Sequence, residues 1–378
     1  MRIHWLKNPV KILHHHFVSI GLIVVLNALA VGHASAAEAP EAPIAQEHKA
    51  SWLHDGGWGV FNHNLSEIHG PRQVLTDLGY AQMTRPGNHP HEVMRRLDFF
   101  QKNVPTLSQD EWNAYIDQFD VDTLAKQLHE VGAGWFMVAI GQQSGLFCAP
   151  NSAFDEMMGF DENSTTCSKR DLVADLAKAL KPYNIRLLVY AAVHPPRHHQ
   201  KIKEVFLDND GPMSQETQKK WETTIQHWSK QWGDQVDGWW FDGAYSIAER
   251  EAPNRESLLS AAKAGNANAI ACLNLGPRNL SGAKNEDYTA GEFDLPLEVT
   301  PQGRWIDGRQ WHMLSYLGEW WSWSAKPRFS DQQVIDMTSR IIRSGGAVTW
   351  DVPLTPKGTL PKAFHDQLLE LGKAVKQD

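Results

Sequence analysis

From Val121 onward, apolar runs of strand length alternate with stretches whose apolar residues recur at helical spacing, and this alternation limits the fold more than any other feature. Leu124, Leu128 and Val131 make one helical face that stops at Gly132, and Trp135 to Ile140 follows as an unbroken apolar run. Arg170 to Leu180 predicts a helix and Arg186 to Val193 a strand; Gln215 to Trp232 predicts a helix, and Val236 to Phe241 a strand that ends at Asp242. Arg255 to Ala264 is again helical and Ala269 to Leu275 extended. Tyr288 to Phe293 and His312 to Tyr316 are weaker strand patterns, and Ala347 to Val352 is a last strand between the helices Asp331 to Arg343 and Pro361 to Val375. With Trp58 to Asn64 as a first strand, about eight strands form one series. Strand, helix, strand repeated in this way predicts a parallel sheet covered by helices. The expected fold is therefore α/β, a closed (β/α)8 TIM-like barrel, and the 378 residues are enough for one. No glycine-rich phosphate loop follows a strand, which weighs against a nucleotide-binding sheet. Residues 66 to 118, with Pro71, Pro86, Pro90 and Pro105, read as a long excursion over the barrel mouth.

The first residues do not belong to this pattern. Arg2, Lys7 and Lys11 precede an apolar run from Phe17 to Val31, and Ala34-Ser35-Ala36 follows, the order of charged, apolar and small residues found in a secretory signal. The apolar run is shorter than the roughly 20 residues that cross a bilayer, so cleavage is expected to leave no stable membrane anchor. The expected organisation is a signal peptide over 1–36, a flexible N-terminus over 37–50 and a catalytic barrel over 51–378, in a periplasmic or extracellular protein. A net charge of −8 without long acidic or basic runs argues against nucleic acid as a partner. In an exported chain, a disulfide between Cys148 and Cys167 is plausible, whereas Cys272 lies in an apolar run and reads as a buried thiol. Asn64, Asn163 and Asn279 head glycosylation sequons.

Active sites of such barrels sit at the carboxyl ends of the strands, so those ends list the site: His63, Gln142, Gln143, His194, Asp242, Glu292 and Asp351. In Trp239-Trp240-Phe241-Asp242-Gly243 the aromatic run favours extended backbone, and the glycine lets the chain turn immediately after the carboxylate. Asp242 is thus a candidate catalyst, with the cap of whatever follows as the alternative reading. Two carboxylates on separate strand ends suit glycoside hydrolysis, one attacking or activating water and the other protonating the leaving oxygen. The 16 Trp point either to a Trp-rich core or to rings on which a sugar lies. Trp240 faces the same side of its strand as Asp242 and is a candidate support for a sugar ring. His194, His198 and His199 raise metal catalysis as a rival, although no His-x-His follows the first strand. No cofactor is expected.

Trp240-Phe241-Asp242-Gly243 also resembles the nucleophile strand of the α-L-fucosidases of glycoside hydrolase family 29. Further matches follow in order. Gly59-Val60-Phe61-Asn62-His63 is similar to the first strand of that family, and Arg170-Asp171-Leu172-Val173 with Leu188-Val189-Tyr190 to its next helix and strand. Asp287-Tyr288-Thr289-Ala290-Gly291-Glu292 resembles the segment with the acid/base Glu of some members, and Pro353 to Pro361 the turn after the last strand. The resemblance spans roughly residues 52 to 375. It implies a retaining exo-glycosidase acting on a glycan, with Asp242 as nucleophile, Glu292 as acid/base and His63 on the sugar; Gln142, Gln143, Tyr190 and Trp240 are further candidate sugar contacts, and Arg278 joins them by position alone. Glu298, Glu319 and Asp351 are rivals for the acid/base role. Two departures stand out. Gln142-Gln143 replaces the usual His-His pair, which bears on the identity of the sugar and keeps a non-catalytic carbohydrate-binding protein as an alternative. The chain as given ends at Asp378, so no C-terminal β-sandwich is expected.

Overall fold

The structure is a computed structural model and describes residues 48–64, 66, 107–207, 213–244, 254–276, 282–300, 303–319, 321–322, 324 and 326–376. All of them lie in the compact unit Glu47–Asp378. The signal-like segment, most of the proline-rich excursion and Arg278 fall outside the described residues.

Seven parallel strands form one curled sheet. In chain order they are β1 (Trp58–Asn62), β2 (Trp135–Ala139), β3 (Arg186–Ala192), β4 (Gly238–Asp242), β5 (Ile270–Leu273), then, after a small hairpin of β6 (Trp305–Ile306) and β7 (Arg309–Gln310), β8 (His312–Tyr316) and β9 (Ala347–Asp351). Their spatial order is β5-β4-β3-β2-β1-β9-β8, and each crossover between neighbours carries helices on the outside. The fold is a TIM-like barrel, as the alternation predicted.

Residues 287–293 fill the gap between β5 and β8. The Asp287 N–H donates to the Ala271 carbonyl at 2.9 Å, and Leu314 and Phe293 exchange backbone hydrogen bonds with Gly291 and Leu314 across to β8. The sequence predicts a strand here, and the segment instead makes isolated bridges at Tyr288 and Glu292. Two side-chain effects account for this. The Thr289 hydroxyl donates to the His312 carbonyl and accepts from the His312 N–H, replacing a ladder rung. Gly291 has a φ of +61°, and a Cβ there would lie 1.8 Å from the His312 carbonyl oxygen, so only glycine lets the two backbones approach.

Side chains alternate across the sheet with period two. Phe61, Met137, Tyr190 and Trp240 point into the barrel, while Val60, Val138, Val189 and Trp239 pack outward against the helices. Among the described residues ten Trp rings are fully buried, so the Trp-rich core accounts for most of the 16. The helices are closed at their ends in ordinary ways: Asp171 caps Leu172–Leu180 by accepting from the Ala174 N–H, and Ser330 with Gln333 forms a capping box on Asp331–Arg343. No helix among the described residues is long and apolar enough to cross a membrane.

Cys148 and Cys167 are free and buried, which corrects the disulfide reading. They lie on adjacent segments, yet the Cys148 thiol points at the Ala139 carbonyl at 3.8 Å. Cys272 is the buried thiol its apolar run predicts. Asn64 is fully buried and Asn163 exposed, so of the two described sequons only the second is accessible to a glycan.

The segment that carries Glu292 is fixed to the far end of the barrel by a buried carboxylate. Asp287 lies 3.0 Å from the Lys49 ammonium and 2.6 Å from that of Lys263, and accepts from the Ala271 N–H at 2.8 Å. Removing it would leave the Lys263 charge enclosed without a counter-ion. Asp287→Ala is expected to lower unfolding stability by about 3 kcal/mol, the scale for breaking a buried pair, measurable by denaturant unfolding; an unchanged midpoint would show that water replaces the carboxylate.

Candidate active site

At the carboxyl end of β4 the inward series Trp240, Asp242 brings Asp242 to the barrel mouth. Gly243 turns the chain there with φ +80°, and its N–H donates to Asp242 Oδ1 at 2.8 Å. Three further donors converge on the same carboxylate. Asn274 Nδ2, just past the end of β5, donates to Oδ1 at 3.0 Å; the Tyr190 hydroxyl on β3 and Gln142 Nε2 after β2 donate to Oδ2 at 2.6 and 3.2 Å. Four donors from four segments fix the side chain in place.

Glu292 stands beside it. Asn274 Nδ2 also donates to Glu292 Oε2, so a single amide nitrogen touches both carboxylates. One nitrogen in hydrogen-bond contact with both groups keeps the two acceptor oxygens no more than about 6 Å apart. Glu292 is pushed up to about 8, first by desolvation and next by repulsion from Asp242, with Asp294 adding to it and the Asn274 hydrogen bond opposing it. It therefore keeps its proton at neutral pH.

The other candidate positions among the described residues have different surroundings. His63, after β1, packs against Phe61, Tyr190 and Trp321, and its Nδ1 lies 3.1 Å from Asp351 Oδ1. Asp351, at the end of β9, is fully buried and is held by the Ser322 hydroxyl at 2.6 Å and the Ser322 N–H. It orients His63 and has no exposed face for acid/base work. Gln142 donates to the Tyr190 hydroxyl at 2.6 Å as well as to Asp242, whereas Gln143 accepts from the Arg197 N–H at 3.2 Å and so fixes the turn after β3. The two neighbouring amides thus have different roles, one on the carboxylate and one on a loop.

Trp240 is only 2% exposed, with its ring stacked 5.2 Å from that of Tyr190 and its Nε1 donating to the Ala290 carbonyl. It stands level with Tyr190 on the neighbouring strand, one inward-facing position before Asp242. Among the described residues Trp321 is a partly exposed aromatic residue beside His63, and it also touches Tyr316. Glu298 is exposed on the short turn Pro296–Glu298, and Glu319 follows β8; the carboxylate that shares the amide with Asp242 is Glu292. The histidines after β3 do not converge. His194 Nδ1 lies 2.9 Å from the Pro195 carbonyl, and His199 Nδ1 caps Gln200–Phe206 by accepting from the Ile202 N–H. Among the described residues no three His, Cys, Asp or Glu side chains form a group that could hold a metal.

Sequence reasoning missed Asn274, Trp321 and Ser322. Asn274 had a usable signal, because it is the first polar residue after the apolar run of β5, the place Asp242 occupies on β4. Trp321 and Ser322 follow β8 in a Trp-rich loop whose pattern does not separate core from cleft.

Comparison with known proteins agrees with this architecture. The α-L-fucosidase family model matches residues 29–378. No protein of curated function matches in sequence. Among solved structures, the endo-fucoidan hydrolase MfFcnA4 of glycoside hydrolase family 107 is 17% identical, with a TM-score of 0.57 over 70% of this chain and 51% of that one. The chain therefore spans about half the length of that structure. The endo-fucoidan hydrolase P5AFcnA of the same family is 12% identical, with a TM-score of 0.59 over 86% of this chain and 93% of that one. An α-L-fucosidase from Bacteroides thetaiotaomicron, trapped as a covalent intermediate with 2-fluoro-fucosyl fluoride, is 15% identical, with a TM-score of 0.54 over 88% and 75%. At these identities the likeness concerns the fold, and the family follows from the model that covers nearly the whole chain: the chain belongs to the α-L-fucosidase family of glycosidases.

Proposed function

We propose that this protein is an exported, exo-acting, retaining glycosidase that releases a terminal fucose or related sugar from a glycan. The observation that carries the reading is the carboxylate pair of Asp242 and Glu292 on one amide, with Glu292 shifted up to about 8. Two carboxylates in contact with one amide nitrogen favour the retaining class, in which the pair stands about 5–5.5 Å apart, over an inverting pair, which needs roughly 6.5–9.5 Å to admit a water. Asp242 attacks the anomeric carbon while the bond to the leaving oxygen breaks and Glu292 passes its proton to that oxygen. Glu292, now ionised, takes a proton from water, whose oxygen bonds to the anomeric carbon and releases Asp242. Export rests on the order of charged, apolar and small residues over 1–36.

Substrate choice is expected to turn on Gln142. A His at this place could offer a hydrogen, an acceptor or a positive charge to a hydroxyl, whereas the amide stays neutral and here already donates to Asp242 and Tyr190. A hydroxyl pattern the site does not match leaves buried groups unpaired at about 1–3 kcal/mol each. Simple aryl α-L-fucosides are therefore expected to be poor substrates compared with a related deoxy sugar or a fucose within a larger glycan. The test is a panel of aryl glycosides, terminally fucosylated oligosaccharides and polymeric fucoidan, with products identified by NMR. Release of a monosaccharide with retained configuration supports the proposal. Internal cleavage of fucoidan would overturn exo-action, and binding without turnover of any member would make the protein a lectin on a glycosidase barrel. High efficiency on an unadorned aryl α-L-fucoside would overturn the role given to Gln142.

A further inference from the structure

We infer that Asn274 is a positioning residue that braces the two carboxylates of the active site, setting their separation and tuning the one that carries the proton. This rests on the proposed roles of Asp242 and Glu292. Asn274 is fully buried at the end of β5, and its backbone is pinned on both sides: its N–H donates to the Phe241 carbonyl at 2.8 Å, and its carbonyl accepts from the Ala244 N–H at 2.9 Å. Its side-chain oxygen accepts from the Gly276 N–H at 3.0 Å, which fixes the orientation of the amide. A flipped amide would lose that bond and set an oxygen against two carboxylates. Both hydrogens of Nδ2 are therefore committed, one to Asp242 and one to Glu292.

The two carboxylates do not depend on this amide equally. Asp242 keeps donors from Gly243, Tyr190 and Gln142 if Asn274 is removed. For Glu292, Asn274 supplies the hydrogen bond that opposes its other surroundings: burial, Asp242 on β4 and Asp294 on its own segment all favour the protonated form. Asp294 is in turn linked to Tyr316 on β8, and its carbonyl accepts from Arg328 at 3.1 Å. Without the amide, Glu292 would hold its proton to higher pH. It would remain an acid for the first step and become a poorer source of ionised base for the second.

The experiment compares the full-length wild type with Asn274→Ala and Asn274→Asp on the best natural glycoside of the panel, recording kcat/KM against pH, with thermal unfolding as a check on the fold. The alkaline limb is expected to move up by about one pH unit in Asn274→Ala. Below that limb the second step is expected to slow, so that glycosyl-enzyme accumulates in mass spectra. Asn274→Asp keeps the shape and the acceptor for Gly276 but puts a third carboxylate where the donor was, so at pH 7 it is expected to be the less active of the two. A purely structural role gives the opposite order, with the isosteric Asp milder than Ala. An unmoved limb in Asn274→Ala, or that opposite order, would overturn the inference while leaving the catalytic pair in place. Should Asn274→Ala fail to fold, activity of the folded Asn274→Asp near the wild-type level at pH 7 would overturn it. A wild type that turns over no glycoside would overturn the proposed function and this inference together.

Discussion

In Asp242→Gly, turnover of the preferred glycoside is expected to fall by roughly 10⁴-fold or more, because covalent catalysis has no substitute for its nucleophile. The fold should survive. Asp242 is a partly exposed carboxylate at the barrel mouth, its backbone already turns through a glycine at the next position, and the apolar layer beneath it is complete without it. The gap left by the side chain would admit a small anion. Azide is expected to restore cleavage of an activated aryl glycoside and to yield a glycosyl azide of inverted configuration. The same variant tests the coupling between the carboxylates. With the Asp242 charge gone, a large contribution holding up Glu292 disappears, so the Glu292 carboxyl should titrate below about 8, as followed by carbon-labelled NMR. Activity undiminished in Asp242→Gly would dismiss Asp242 as the nucleophile, and a Glu292 titration that does not move would separate the two groups.

The barrel was legible in the sequence because each strand had to be apolar on both faces and each helix on one. Trp135 to Ile140 and Arg186 to Val193 could be read directly, since inner cluster and outer layer both demand apolar residues there. Tyr288 to Phe293 is not legible in this way: its pairing runs through the Thr289 hydroxyl and the bare Cα of Gly291, long-range features that local strand preference does not register. The site was legible in the same partial way. Asp242 stood out because a glycine follows it and an aromatic run precedes it. Asn274 did not, because a single Asn after an apolar run reads as a turn residue until two carboxylates from other segments are found on its amide. Trp240 shows the reverse limit: alternation predicts that it faces the barrel axis with Asp242, but the depth of the layer, which decides between ring support and core, is set by Tyr190 and Ala290 from elsewhere in the chain. Gln142 and Gln143 look interchangeable in sequence and differ because one backbone step turns the second toward Arg197.

Glu292→Ala is expected to separate substrates by their leaving groups. A general acid contributes about 10²–10⁴-fold when the departing oxygen is a poor leaving group, and little when that oxygen is already acidic. The variant should therefore lose most of its kcat/KM on natural oligosaccharides and on aryl glycosides of weakly acidic phenols, and far less on a dinitrophenyl glycoside of the same sugar. For that activated substrate the second step becomes limiting, because no base remains to take the proton from water, so kcat and KM should fall together and a burst of phenol should precede slow turnover. The pH profile gives an independent check. Wild-type kcat/KM on a natural glycoside should fall above about pH 8, where Glu292 gives up its proton, and this alkaline limb should be absent from Glu292→Ala. The sign follows from the chemistry: burial and the Asp242 charge raise the group, the protonated form is the active acid, and activity is retained below the raised value and lost above it. Equal losses on good and poor leaving groups, with the limb still present, would move the acid role to Glu319, the rival on the loop after β8.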